Sequence, residues 1–96
     1  MSKEPCVYIL TNDYNAVLYT GVTSDIVRRI QEHKEGQGSV FTRRYNLKKL
    51  VFVHYFPNMY QAIQAEKAIK GGSRSKKIAL IEEVNPEWRD LAEILC

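Results

Sequence analysis

The chain has 96 residues, a formal net charge of +3, two cysteines, and 45% hydrophobic and 26% charged residues. This is the make-up of a single globular domain over residues 1–96, too short to carry a catalytic domain together with a separate recognition domain. Two cysteines, Cys6 and Cys96, fit neither a disulfide framework nor a four-ligand zinc site. The start, Met1-Ser2-Lys3-Glu4-Pro5, lacks the apolar core of a signal peptide, and no apolar run reaches the length of a membrane span, so no membrane contact and a cytoplasmic location are expected.

Two strands come first. Cys6-Val7-Tyr8-Ile9-Leu10 and Ala16-Val17-Leu18-Tyr19-Thr20-Gly21 flank Asn12-Asp13-Tyr14-Asn15, a hairpin-loop cluster. A four-residue loop pairs Thr11 with Ala16, Leu10 with Val17, Tyr8 with Tyr19 and Cys6 with Gly21. That register sets two phenols opposite each other on one sheet face, beside a glycine that leaves room for an approaching group. Aromatic cross-strand pairs also stabilise ordinary sheets, so the hairpin alone does not define a site. Cys6 reads as a small core hydrophobe.

Thr23-Ser24-Asp25 supplies caps for a helix over 26–35, which Gly36 and Gly38 end. Residues 36–46 read as a loop with room for a short turn at 40–43, and 47–56 as a third strand closed by Pro57. Asn58 caps a helix over 59–70 stopped by Gly71-Gly72, and Ser73 caps another that runs to about Val84. Asn85-Pro86 then starts a last short helix that carries Trp88, Leu91 and Ile94 or Leu95 inward. The order β-β-α-β-α-α-α predicts an α+β domain, a small three-stranded antiparallel sheet flanked by helices, and leaves the partner of the third strand open.

On the first helix, Ile26, Val27 and Ile30 share one arc, Arg29 and His33 lie at its edge, and Arg28 points to solvent. Arg29 can therefore lean toward the sheet and offer a phosphate a fork of hydrogen bonds, with His33 as a further donor or proton shuttle. Equally, both fit boundary residues with buried stems and wet heads. On the next long helix, Glu66 projects from the middle of an apolar face made by Met59, Ala62, Ile63, Ala65 and Ile69. A carboxylate there must be paired, protonated or bound to a cation. An ion pair with Arg29 is one solution, and a Mg2+ or Mn2+ ion held mostly by water and substrate phosphate is the other.

With the metal, phosphate hydrolysis becomes coherent. Glu66 holds the ion, Arg29 stabilises developing charge, and Tyr8 or Tyr19 activates a water. A free tyrosine ionises near pH ~10, so a tyrosine base needs neighbouring positive charge, which Arg29, His33 and the metal would provide. Arg43, Arg44, Lys48, Lys49, Lys67, Lys70, Arg74, Lys76 and Lys77 make the middle of the chain basic, while Glu82, Glu83, Glu87, Asp90 and Glu93 make its end acidic. Such a basic stretch is either a solvated face or a surface for nucleic acid.

In this order the residues resemble the GIY-YIG nuclease superfamily. Cys6-Val7-Tyr8 stands for its first signature, with the Gly and Ile positions changed, and Tyr19-Thr20-Gly21 for its second, with only the middle position changed. The stretch Gly21-Val22-Thr23-Ser24-Asp25-Ile26-Val27-Arg28-Arg29-Ile30-Gln31-Glu32-His33 aligns the family arginine with Arg29, the metal-binding glutamate falls on Glu66, and the later asparagine falls on Asn85, which also fits a helix cap. The basic segment from Ser73 and the tail Asn85-Pro86-Glu87-Trp88 look like the small single-domain bacterial branch.

The resemblance implies a Mg2+- or Mn2+-dependent DNA endonuclease with Tyr8, Tyr19, Arg29, His33 and Glu66 as catalytic residues and Gly21 and Asn85 in support. Its substrate would be branched or damaged DNA in a repair setting, or DNA chosen by a partner protein, since nothing in the chain reads bases. The alternatives are a non-catalytic nucleic-acid-binding module on the same scaffold and an adaptor whose basic face meets an acidic protein.

Overall fold

The protein is described by a computed structural model covering residues 4–95; Met1, Ser2, Lys3 and Cys96 lie outside the described residues. In chain order come β1 (Cys6–Thr11), β2 (Leu18–Thr23), α1 (Ile26–Lys34), α2 (Val40–Arg44), β3 (Lys49–Tyr55), α3 (Met59–Lys70), α4 (Arg74–Val84) and α5 (Ala92–Leu95). The sheet is antiparallel throughout, in the order β2-β1-β3, and helices flank it in an α+β arrangement. The open question of the third strand is thereby answered: it pairs with β1. The predicted order lacked α2, one short turn of helix that Ser39 caps by accepting a hydrogen bond from Thr42 N. Among the described residues no helix is long and apolar enough to cross a membrane.

All six residues of β1 are buried, because this strand has a neighbour on each side and a helical layer on each face. Cys6, Tyr8 and Leu10 point one way and pack with Ile26 and Ile30 of α1, Leu47, Leu50 and Ala92 of α5. Ile9 points the other way and packs with Val51, Phe52 and Ile81, joined by Ile69 of α3 and Leu80 of α4. A bulge beside the Ile9/Leu10 step brings the consecutive residues Val51 and Phe52 into the same cluster. Cys6 is the expected core hydrophobe, and burial pushes its thiol up to about 11.

The hairpin register differs from the predicted one by two residues. Tyr8 pairs with Gly21, Leu10 with Tyr19, Cys6 with Thr23 and Thr11 with Leu18. The cause is a wider loop over residues 12–17, in which Thr11 Oγ1 donates to Val17 O at 2.7 Å and Ala16 N donates to Asn12 Oδ1 at 2.8 Å. Asn15 takes a left-handed conformation at φ 56°, which asparagine tolerates better than most residues. A slip of two preserves side-chain direction, so Tyr8 and Tyr19 still share a face, as diagonal neighbours.

The last helix also begins later than predicted. Asn85 ends α4 instead of starting a helix: its N–H bonds Ile81 O, and its side-chain amide bonds Val51 O at 3.1 Å and Arg89 O at 2.9 Å. Trp88 sits at φ 56°, which breaks any helix across this stretch. Asp90 takes the capping role. Its Oδ1 accepts from Leu50 N and Ala92 N, both at 3.1 Å, and its Oδ2 pairs with Lys34 Nζ at 2.6 Å. Leu95 packs on the core, while Ile94 faces solvent.

Asp90 thus fastens the tail to β3 and α1 together. Burial would raise its carboxyl, but the Lys34 ammonium and the Leu50 and Ala92 N–H groups outweigh burial and hold it below the ordinary carboxylate range. Its stabilising contribution is therefore present above the unfolded-state pKa near ~3.9 and is lost as pH falls below it. Asp90→Ala is expected to cost about 1–3 kcal/mol in urea unfolding at pH 7. The deficit relative to the parent should shrink below about pH 4, and a gap independent of pH would contradict this role.

Candidate active site

The site starts from a packing problem in β1. A tyrosine at the buried centre of a sheet needs space for its ring and a partner for its hydroxyl. Gly21, directly across on β2, supplies the space: a methyl group there would lie 2.5 Å from Tyr8 Cζ and from its hydroxyl. The gap at Gly21 is therefore filled by the Tyr8 ring, and is not the approach route for a ligand that the sequence suggested. Arg29 supplies the partner, with Nη1 donating to the Tyr8 hydroxyl at 3.3 Å.

Arg29 can do this because Asp25 caps α1 by accepting from Arg28 N, which fixes the helix phase. Arg28 falls outward, its side chain 74% exposed against 40% for Arg29. Glu32 steers the guanidinium further, its Oε1 lying 3.3 Å from Arg29 Nε. One turn on, His33 is buried rather than wet-headed, and its ring centroid lies 6.3 Å from that of Tyr8 and 6.4 Å from that of Tyr19. The two phenol centroids are 6.4 Å apart, so three rings form a near-equilateral cluster.

Both ring nitrogens of His33 are buried without a hydrogen-bond partner among the described residues. Buried nitrogens of this kind are costly unless water reaches them. Gly38, a residue the sequence reading used only as a helix stop, closes in on the same ring, because a Cβ there would collide with His33 and with Thr42 Oγ1. The available signal was the pair of glycines: Gly36 carries the positive φ of 78° that ends the helix, which leaves Gly38 to be explained by space.

A cleft of about 140 Å³ opens among Tyr19, Arg29, Glu32, His33, Gln37 and the Gly38-Ser39 turn. A second, polar cleft of about 240 Å³ continues from it along Thr23, Asp25 and Arg28, with Arg29 and Glu32 shared between the two. Burial pushes the Tyr8 phenol up to about 12, and the hydrogen bond and charge of Arg29 offset this only in part. Without a metal, the charge of Arg29 alone does not activate this tyrosine. Burial, and then the charge of Arg29, lower His33 below its ordinary 6.5, so it is neutral at pH 7.

Glu66 arrives from the other side of the sheet. Its helix α3 contributes Ile69 to the Ile9 cluster, and the carboxylate is 13% exposed. Its partner is Lys70, with Nζ 3.2 Å from Glu66 Oε2, and not Arg29, which Tyr8 and Glu32 already engage. The same ammonium lies 5.7 Å from the centroid of the Tyr19 ring, so the Glu66–Lys70 pair stands beside a phenol that lines the cleft, while neither residue of the pair lines it. Among the described residues no three His, Cys, Asp or Glu side chains form a metal cage. One recessed carboxylate is instead a donor set that suits a dication keeping most of its water.

Five of the basic residues divide between two places. Arg43 and Arg44 are exposed on α2, which reaches the cleft through Phe41, 6.1 Å from the Tyr19 centroid. Lys48, Lys49 and Arg74 gather at the hairpin end of the sheet: Lys49 pairs with Thr11, and Arg74 bonds Asn15 O at 3.2 Å. Lys76 is exposed, whereas Lys77 is committed to Gly72 O at 2.8 Å and Lys70 O at 3.4 Å, closing the end of α3. Asn85 braces the tail and touches none of the ring cluster's polar groups.

Comparison with known proteins matches residues 4–79 to the family described as the GIY-YIG catalytic domain. A UPF0213 protein of Natronomonas pharaonis is 36% identical over 83 residues, 86% of this chain and 96% of that one. Another, of Staphylococcus saprophyticus, is 41% identical over 66 residues, 69% of this chain and 80% of the relative. The solution NMR structure of a UPF0213 protein from Bacillus halodurans resembles this fold with a TM-score of 0.58 at 32% identity, over 95% of this chain and 96% of that one.

Two outcomes follow from the packing. Gly21→Ala should cost about 1–3 kcal/mol in thermal or urea unfolding, since the Tyr8 ring cannot stay where it is, and a neutral effect would contradict the close approach. In an NMR titration His33 should change charge below 6.5, and Arg29→Ala should raise that midpoint. A midpoint above 6.5 in the parent chain would show that the ring is not held neutral.

Proposed function

The chain belongs to the GIY-YIG catalytic domain family, and from that we propose that it is a divalent-metal-dependent endonuclease hydrolysing DNA phosphodiester bonds. The observation that carries this reading is the meeting of Arg29, the Tyr19 phenol and a buried, unpartnered His33 at one phosphate-sized cleft, with the buried Tyr8 hydroxyl accepting from Arg29 behind it. Arg29 is held by Tyr8 and Glu32 in a fixed orientation, so its remaining donors can meet the phosphoryl oxygens as negative charge grows on them.

His33, neutral at pH 7, has one nitrogen able to accept a proton from the attacking water and one able to donate to a phosphate oxygen. Tyr8, with its phenol raised to about 12, keeps its proton and serves better as an orienting hydroxyl than as the base. Tyr19 forms the outer wall. As the water oxygen bonds to phosphorus, the water's proton passes to His33, the bond to the leaving sugar oxygen breaks, and that oxygen takes a proton from solvent water. Glu66 would hold Mg2+ or Mn2+, whose contribution when bound is to polarise the phosphate and neutralise charge.

Arg43 and Arg44 beside the cleft, Lys48, Lys49 and Arg74 at the hairpin end, and the exposed Lys76 would contact the DNA backbone without reading sequence. Branched or damaged DNA, or a partner protein, would then set the choice of substrate.

The test is incubation of the purified chain with branched, nicked and linear DNA, with Mg2+ or Mn2+ and with chelator. Cleavage should require metal, fall by at least about a hundredfold in Arg29→Ala, and vanish in Glu66→Gln while DNA binding persists. Binding without cleavage under every condition would replace the enzyme with a nucleic-acid-binding module.

A further inference from the structure

We infer that Lys70 is a built-in counter-cation that holds the Glu66 carboxylate in the metal-free protein and must yield it to the divalent ion. This rests on the reading of Glu66 as the metal ligand. Glu–Lys pairs one turn apart are commonplace on exposed helix faces, where they do little. This pair is different in its surroundings. Glu66 is only 13% exposed, and the Lys70 ammonium, 3.2 Å from its Oε2, lies over the Tyr19 ring at 5.7 Å from the centroid. The charge therefore stands between the carboxylate and the phenol, where a cation serving both would stand.

Three features suit Lys70 to this role. A recessed carboxylate left alone would be costly, and Lys70 answers it without a metal. The backbone that carries Lys70 is fixed, since Lys77 Nζ bonds the carbonyls of Lys70 and Gly72 at 3.4 and 2.8 Å. The side chain itself is 55% exposed on a flexible stem, so it can swing into solvent when another cation arrives. Ammonium and metal cannot occupy the same carboxylate oxygen together. Metal affinity is therefore lowered by the displacement of Lys70, and the metal-free site stays folded.

The experiment is Mn2+ binding to the purified chain by calorimetry and by manganese electron paramagnetic resonance, with thermal unfolding followed in parallel. Lys70→Met keeps the stem and removes the charge, and should bind Mn2+ on the order of tenfold more tightly. Lys70→Arg, which keeps a cation, should bind no more tightly than the parent. Without metal, Lys70→Met should melt lower than the parent, and saturating Mn2+ should close that gap. Unchanged or weaker Mn2+ binding by Lys70→Met, when Glu66→Gln has lost it, would overturn the role of Lys70 alone. Binding that survives Glu66→Gln intact would overturn the metal assignment itself, and the role of Lys70 with it.

Discussion

A phenol buried in a strand that has a neighbour on each side leaves the surrounding chain little freedom. Tyr8 lies at the centre of β1, and its ring is accommodated only because Gly21 opposite has no side chain. Its hydroxyl is met by Arg29, which reaches it because the Asp25 cap sets the phase of α1 just after β2. Hairpin register, helix phase and the position of the guanidinium are thus one linked arrangement. His33 follows one turn later on the same helix face, and Gly38 and Thr42 close over it. The ring cluster is in this sense a by-product of solving the burial of one hydroxyl.

The electrostatics have a matching economy. Burial keeps Tyr8 protonated and His33 neutral, so neither adds charge to the interior at pH 7. The charges that remain are locally balanced, Arg29 by Glu32 and Glu66 by Lys70. A phosphate entering the cleft would meet the Arg29 donors already oriented and a neutral imidazole beside them. Little reorganisation is then needed as charge develops, which is the condition under which fixed dipoles and cations stabilise a transition state best.

Much of this was legible in the chain. Alternation placed Tyr8 and Tyr19 on one face, and because that property repeats every two residues it survived a register error of two. The helical wheel separated Arg29 from Arg28, and the apolar face of α3 marked Glu66 as anomalous. What could not be read depended on side-chain reach and on burial summed over distant segments. The hairpin loop was widened by bonds from Thr11 and Asn12. Asn85 looked like a helix start until β3 supplied Val51 O, and the direction of the Tyr8 shift turned on how deeply a third strand covers it. Lys70 was one basic residue among many until its ammonium was found over Tyr19.

The most direct measurement follows the imidazole and guanidinium signals by NMR while a short DNA duplex is added with Ca2+, an ion chosen to permit binding without turnover. If the scissile phosphate enters the cleft, the His33 ring and the Arg29 Nε–H should shift together, at the same DNA concentration, and both shifts should be weakened by added salt. Signals of His33 and Arg29 that stay still while DNA perturbs only other surfaces would contradict a phosphate-binding centre at this cluster.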